Sequence, residues 1–244
     1  MRFDIITIFP DIFDSYFNES IIGRAQKKRL VKMKTHDLRK WTTDKHRTVD
    51  DRPYGGGVGM ILKVEPIFKA IEKIKKTHLF FERSKAESRS SRQARTIKGR
   101  IILFSAKGKT MTQADIRRWA KYDQLILICG RYEGVDERVA EYIADEEVYV
   151  GNYVLTGGEI PAMIVVDAVS RLVAGVLGKK ESLKEESFGK NDQIPITNDQ
   201  WQYLKYPQYT RPEEFRGWKV PRVLLGGNHR KIQEWKQKHS KVKL

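Results

Sequence analysis

Apolar positions along the 244-residue chain follow two rhythms in alternation. Residues 3–9 form a run of Ile and Phe that stops at Pro10, the pattern of a buried strand. Beyond Asp11, the residues Ile12, Phe13, Tyr16, Phe17, Ile21 and Ile22 recur at three- to four-residue spacing, which predicts a helix. A short strand is predicted at 30–33, a loop over 36–59 and a helix over 64–74. Three compact apolar runs follow at 101–104, 125–129 and 148–150, separated by helical patterns at 112–122 and 135–144. An apolar helix over 160–177 closes the series. Strand and helix in turn predict an α/β domain with a largely parallel sheet. Ligands in such sheets sit in loops at the carboxyl ends of strands. The loops in question here are 105–108, 130–134 and 151–158.

Elsewhere the rhythm fails. Residues 82–100 hold seven basic and two acidic side chains with no apolar period, and read as a basic loop. Residues 178–199 are polar and irregular, the composition of a flexible linker. From Arg216 onward there are nine Lys or Arg against one Glu, with Trp218, Trp235 and helical spacing across 231–241. The expected organisation is a domain at 1–177, a linker at 178–199 and a small basic helical domain at 200–244.

Charge narrows the partner. The formal net charge is +16 and the pI about 9.8. Lys and Arg in such excess favour a polyanion, because they release counterions from a phosphate backbone. On charge alone RNA, DNA and anionic membranes all qualify. The single cysteine, Cys129, allows no internal disulfide and suits a reducing compartment. The N-terminus lacks a signal-peptide layout, and Asp167 and Arg171 interrupt the 160–177 stretch. The chain is therefore expected in the cytoplasm, with no membrane partner.

Four motifs carry chemistry. PYGGGVG at 53–59 lets backbone approach a ligand closely, and Asp50, Asp51, Arg52 and Tyr54 stand beside it. It lacks the spacing of a dinucleotide fingerprint, so it reads either as a binding loop or as a turn needing left-handed backbone. AKGKT at 106–110 resembles the end of a phosphate loop, but Leu103 stands where the first glycine belongs. CGRYEGVDER at 129–138 and GNYVLTGGE at 151–159 place glycines at strand ends, where backbone N–H and C=O groups can hold a flat heterocycle. Asp167 and Arg171, four apart on one helix, can pair, leaving the guanidinium ready for an oxyanion.

HRTVDDRPYGGGVGM, CGRYEGVDER, GNYVLTGGEIPAM, the DAVSR helix, PQYTRPEEF and GGNH occur in order, and together they closely resemble the bacterial tRNA (guanine-N1)-methyltransferases. These belong to the knotted (SPOUT) methyltransferase superfamily. The resemblance spans the chain, with 82–100 as an insertion. It implies an α/β domain with a deep trefoil knot, an exception to the rule against knots, and a small C-terminal helical domain that grips tRNA. S-adenosylmethionine would donate the methyl group. Its contacts would fall on Phe104, Ser105, Gly130, Tyr132, Glu133, Val150, Gly151, Tyr153, Leu155, Gly157, Gly158 and Pro161. The substrate guanosine would meet Asp50, Tyr54, Gly57 and Gly59. The family works as a homodimer with composite sites, and magnesium assists it, although no ligand cluster marks a metal site in this sequence. Arg171 would stabilise charge developing on guanine O6. The base that takes the N1 proton is an Asp in the family; here Glu186 stands before Ser187 and Phe188, with Glu185 as the neighbouring alternative. Val58, Asn152 and Ala106 also depart from the family pattern. The longer base at 186 and Val58 motivate a second reading, a non-catalytic RNA-binding relative.

Overall fold

The computed structural model describes residues 1–87, 97–178, 186–188 and 202–243. Two compact units divide the chain, Met1–Leu177 and Gly178–Leu244.

The first unit is built on five parallel strands: β1 (Arg2–Thr7), β2 (Lys32–Asp37), β5 (Gly99–Thr110), β6 (Gln124–Cys129) and β7 (Glu146–Tyr149). Their order across the sheet is β2-β1-β6-β5-β7. The short strands β3 (Asp50–Asp51) and β4 (Ile61–Leu62) pair antiparallel beside it. Alternation sorts the strand side chains onto two faces. Phe3, Ile5, Ile102, Phe104, Leu125, Leu127 and Cys129 join one core, where Ile22 and Ala25 of α2 (Ser20–Lys27), Ile116 and Trp119 of α4 (Gln113–Trp119), and Val165 and Val169 of α6 (Glu159–Ser170) cover them. Ile6, Ile101, Leu103, Ile126 and Ile128 face the other way, onto Ile67, Ile71 and Ile74 of α3 (Val64–Glu87) and Val139 of α5 (Arg138–Tyr142). The short helix α1 (Asp14–Phe17) adds Phe17 to the first core. A strand covered on both faces reads as a continuous apolar run, and β6, buried at every residue, is the extreme case.

Several boundaries differ from the sequence reading, each for a local reason. Helix α3 extends to Glu87, so 82–87 of the expected basic loop is helical, while 99–100 opens β5 and 88–96 lies outside the described residues. Lys and Glu are good helix formers, and the ion pairs Glu65–Lys69 and Glu72–Lys76 support an exposed face without an apolar period. Strand β2 sits later than expected because it is the sheet edge, and its outward positions are polar. The 160–177 helix stops at Ser170. Beyond it the chain closes turns three residues long, such as Val173 N–H to Ser170 C=O at 3.1 Å.

The second unit is less purely helical than its spacing suggested. It holds α7 (Arg222–Leu225) and α8 (His229–His239), and also pairs β8 (Gln202–Leu204) with β11 (Lys241–Lys243) and β9 (Glu214–Phe215) with β10 (Trp218–Lys219). Asn228 caps α8 by accepting the Lys231 N–H at 3.1 Å.

Candidate active site

A cavity of about 370 Å³ opens beside the carboxyl ends of β6 and β7 and the middle of β5. Three backbone segments wall it. The first is a bulge in β5: Phe104 and Lys109 both pair with Val148, so 105–108 is pushed out of the ladder. This stretch, expected from its glycine as a loop, is an insertion within one long strand. The second is the turn after β6, where Tyr132 lies in the left-handed region (φ 61°) and Gly134 N–H returns to Arg131 C=O at 3.1 Å. The third is 150–158, leading into α6.

The second and third walls are locked together. Gly158 N–H donates to Gly130 C=O at 2.9 Å, and Arg131 forms a backbone bridge with Gly157. A Cβ on Gly158 would lie 2.6 Å from Cys129 Cα, so only glycine lets the two backbones touch. Arg131 Nε donates to Glu159 Oε2 at 2.8 Å, and Glu159 Oε1 accepts the Thr7 hydroxyl at 2.7 Å. The Arg131 guanidinium lies over the Phe9 ring, 4.7 Å from its centre. This network ties β1, the turn after β6 and the start of α6. Motif reading missed its pairing, because the partners lie 28 and 152 residues apart.

Each residue expected to touch the methyl donor lines this cavity: Phe104 and Ser105 from β5, Gly130, Tyr132 and Glu133 from the turn, Val150, Gly151, Tyr153, Leu155, Gly157 and Gly158 from the third wall, and Pro161 from α6. Lys107, Glu137, Ala140 and Glu147 line it as well. Lys107 Nζ meets Glu137 Oε2 at 2.6 Å, joining the bulge to the start of α5, and this hydrogen bond raises the lysine pKa. Cys129 is wholly buried, and burial raises its thiol pKa.

The glycine loop stands against the same turn. Met60 C=O accepts Glu133 N–H at 3.1 Å, and Leu62 N–H donates to Gly134 C=O at 3.0 Å. Asp50 lies in β3, Tyr54 and Val58 project fully into solvent, and Gly57 and Gly59 take left-handed backbone. Arg171 caps the C-terminus of α6. The Asp167 carboxylate accepts the Tyr16 hydroxyl at 2.9 Å, a partner from α1 that helical spacing did not supply. Glu186 belongs to the second unit and is partly buried; beside it, Ser187 Oγ accepts Lys205 N–H at 3.0 Å. Glu185 lies outside the described residues. Among the described residues no group of three His, Cys, Asp or Glu could hold a metal ion. No helix there is long and apolar enough to cross a membrane.

Fold and cavity together define a class: a parallel α/β protein with a cavity of small-molecule size walled by backbone segments beside the strand ends. The comparisons with known proteins narrow it. The family model described as tRNA (Guanine-1)-methyltransferase TrmD matches residues 1–244. A tRNA (guanine-N(1)-)-methyltransferase of Dictyoglomus turgidum is 49% identical over 98% of this chain and 85% of its own length. One from Carboxydothermus hydrogenoformans is 45% identical over 98% and 83%. The crystal structure of tRNA (m1G37) methyltransferase from Aquifex aeolicus superposes with a TM-score of 0.69 at 36% identity, covering 98% of this chain and 88% of that one. The chain belongs to the tRNA (guanine-1)-methyltransferase family.

Proposed function

We propose that this protein transfers a methyl group from S-adenosylmethionine to N1 of the guanosine at tRNA position 37, the position that the Aquifex aeolicus tRNA (m1G37) methyltransferase is named for. The observation that carries the proposal is the convergence of the donor-contact residues on one 370 Å³ cavity walled by backbone. Such walls offer N–H and C=O groups to an adenine edge, and the apolar side chains of Phe104, Val150 and Leu155 suit its faces. When bound, the donor supplies an electrophilic methyl on a sulfonium.

This chain's residues would do the rest. Guanine N1 carries a proton at neutral pH, and a base must take it as the new bond forms. Glu186 is assigned that task. Negative charge then grows on O6, and Arg171 is assigned to meet it. The loop bearing Asp50, Tyr54, Gly57 and Gly59 is assigned to the guanosine, since it rests on the same turn as Glu133. Magnesium is proposed to assist the transfer, as the family resemblance implies; among the described residues no group of three His, Cys, Asp or Glu marks a protein site for it.

The proposal includes a trefoil knot in the Met1–Leu177 domain, a linker at 178–199 and a tRNA-gripping domain at 200–244, as in the family. It also includes a homodimer. Phe9, Ile12, Tyr16, Ile160 and Ile164 leave apolar surface exposed on adjoining elements, and Ile160 and Ile164 lie one turn apart on α6. A tRNA enzyme with this charge is assigned to the cytoplasm.

The deciding test is transfer of labelled methyl to a tRNA transcript with guanosine 3′ of the anticodon, beside one with adenosine there. Transfer to the guanosine tRNA alone, lost in Glu186→Gln, is expected. Transfer that survives the substitution moves the base elsewhere, and no transfer with both ligands bound makes the chain a non-catalytic relative.

A further inference from the structure

The second unit carries a feature that methyl transfer does not explain. Strands β9 and β10 form a two-residue hairpin, with Phe215 paired directly across from Trp218. Arg216 and Gly217 make the turn, both in the left-handed region (φ 54° and 85°), the geometry that suits a tight hairpin. The two rings meet edge to face at 5.9 Å between centres. Yet Phe215 is 55% and Trp218 72% exposed, so each ring keeps a face in water. Such an exposed aromatic pair is costly to hydrate, and side chains this large are normally buried.

The surroundings are cationic. The Arg216 guanidinium lies over the Phe215 ring, 5.5 Å from its centre. Lys219 ends the hairpin, where its ammonium meets Glu214 across the ladder at 3.5 Å, and Arg222 begins the next helix. From Glu213, at the start of the hairpin, to the C-terminus nine Lys or Arg stand against three Glu. Aromatic faces flanked by guanidinium and ammonium groups bind unstacked nucleobases, each base contributing through its π-face and the phosphates through charge. A protein partner would need an apolar surface, for which the charged flank is a poor match.

We infer that the Phe215–Trp218 hairpin is a stacking platform for an unpaired base of the RNA substrate. This rests on the proposed tRNA reading and adds to it where one contact is made. A stack onto an aromatic side chain changes affinity by roughly one to two orders of magnitude. Trp218→Ala is expected to raise KM for tRNA about tenfold, with kcat at saturation and donor affinity unchanged, and Trp218→Phe should restore most of the loss. Arg216→Ala should weaken binding and flatten its salt dependence.

Tryptophan emission gives a readout independent of catalysis. A short single-stranded oligoadenylate is expected to quench the wild-type protein, and to quench Trp218→Phe measurably less. Unchanged KM in Trp218→Ala and equal quenching in both proteins would overturn the inference. So would a shift in sedimentation of Trp218→Ala with tRNA affinity intact, which would assign the hairpin to a protein contact. If the wild-type chain transfers no methyl group, the functional reading fails, while the quenching experiment still decides the platform.

Discussion

Arg131 Nε and Glu159 Oε2 stand 2.8 Å apart, and the glutamate is only 1% exposed. The pair joins the turn after β6 to the first residue of α6, the two segments whose backbones touch at Gly130 and Gly158. Removing one partner of a buried pair leaves the other charge unmatched, which typically costs about 3–5 kcal/mol. Arg131 reaches the cavity rim, so the lower end of that range applies. Glu159→Ala is expected to lower the urea midpoint clearly and to weaken donor binding, because the second and third walls lose their tie. Full donor affinity in a destabilised variant would show that the pair serves stability alone.

Arg171 should act on the guanine and not on the donor, since it lies at the far end of α6 from Pro161 and does not line the cavity. Arg171→Ala is expected to leave donor affinity, read by calorimetry, within about twofold. Turnover should fall on the order of a hundredfold to a thousandfold, the usual loss when a donor to a developing oxyanion is removed. A collapse of donor affinity instead would reassign the residue.

The acid limb of stability has a nameable source. Burial alone would raise the Asp4 pKa, but hydrogen bonds from Arg2, His36 and Gln124 outweigh it and hold the carboxylate well below its usual value. Asp115 is likewise opposed by burial and lowered to about 2 by Lys109, Arg118 and Thr112. Both folded-state values are depressed, so the stability they contribute is present above the unfolded carboxylate pKa of roughly 3.9 and is lost as pH falls below it. Urea unfolding at pH 7, 4 and 3 should show stability dropping steeply across the last step. Asp4→Asn should be less stable at pH 7 and flatter across that step; an unchanged slope would place the acid sensitivity elsewhere.

What the sequence disclosed follows from which interactions are local. Strands such as 125–129 were legible because burial on both faces makes them uniformly apolar. The loops 130–134 and 151–158 were legible because their glycines mark sharp turns at strand ends. Local spacing cannot show that Arg131 answers Glu159, that Tyr16 answers Asp167, or that Phe104 and Lys109 share Val148. Those pairings depend on how strands are ordered in the sheet, with β6 inserted between β1 and β5. The hairpin at 214–219 escaped for another reason: its aromatics face water, so no buried pattern announces it.

Gly158 offers the sharpest separation of shape from flexibility at the site. Its backbone is not left-handed, so alanine meets no conformational penalty there. The obstacle is contact: an added Cβ would fall 2.6 Å from Cys129 Cα and 3.0 Å from Gly130 N. Relief requires the third wall to move away from β6, which breaks the 2.9 Å bond from Gly158 N–H to Gly130 C=O. Overpacking of this kind costs about 1–3 kcal/mol. Gly134 is the control, with φ 127° and open space within 4 Å, so alanine there strains only its own backbone. Gly158→Ala is expected to lose donor affinity at least about tenfold. Gly134→Ala should lose comparable stability while keeping the donor within severalfold. Donor affinity falling equally in both, at matched loss of stability, would mean that general loosening of the loops, and not the contact between the two walls, governs the cavity.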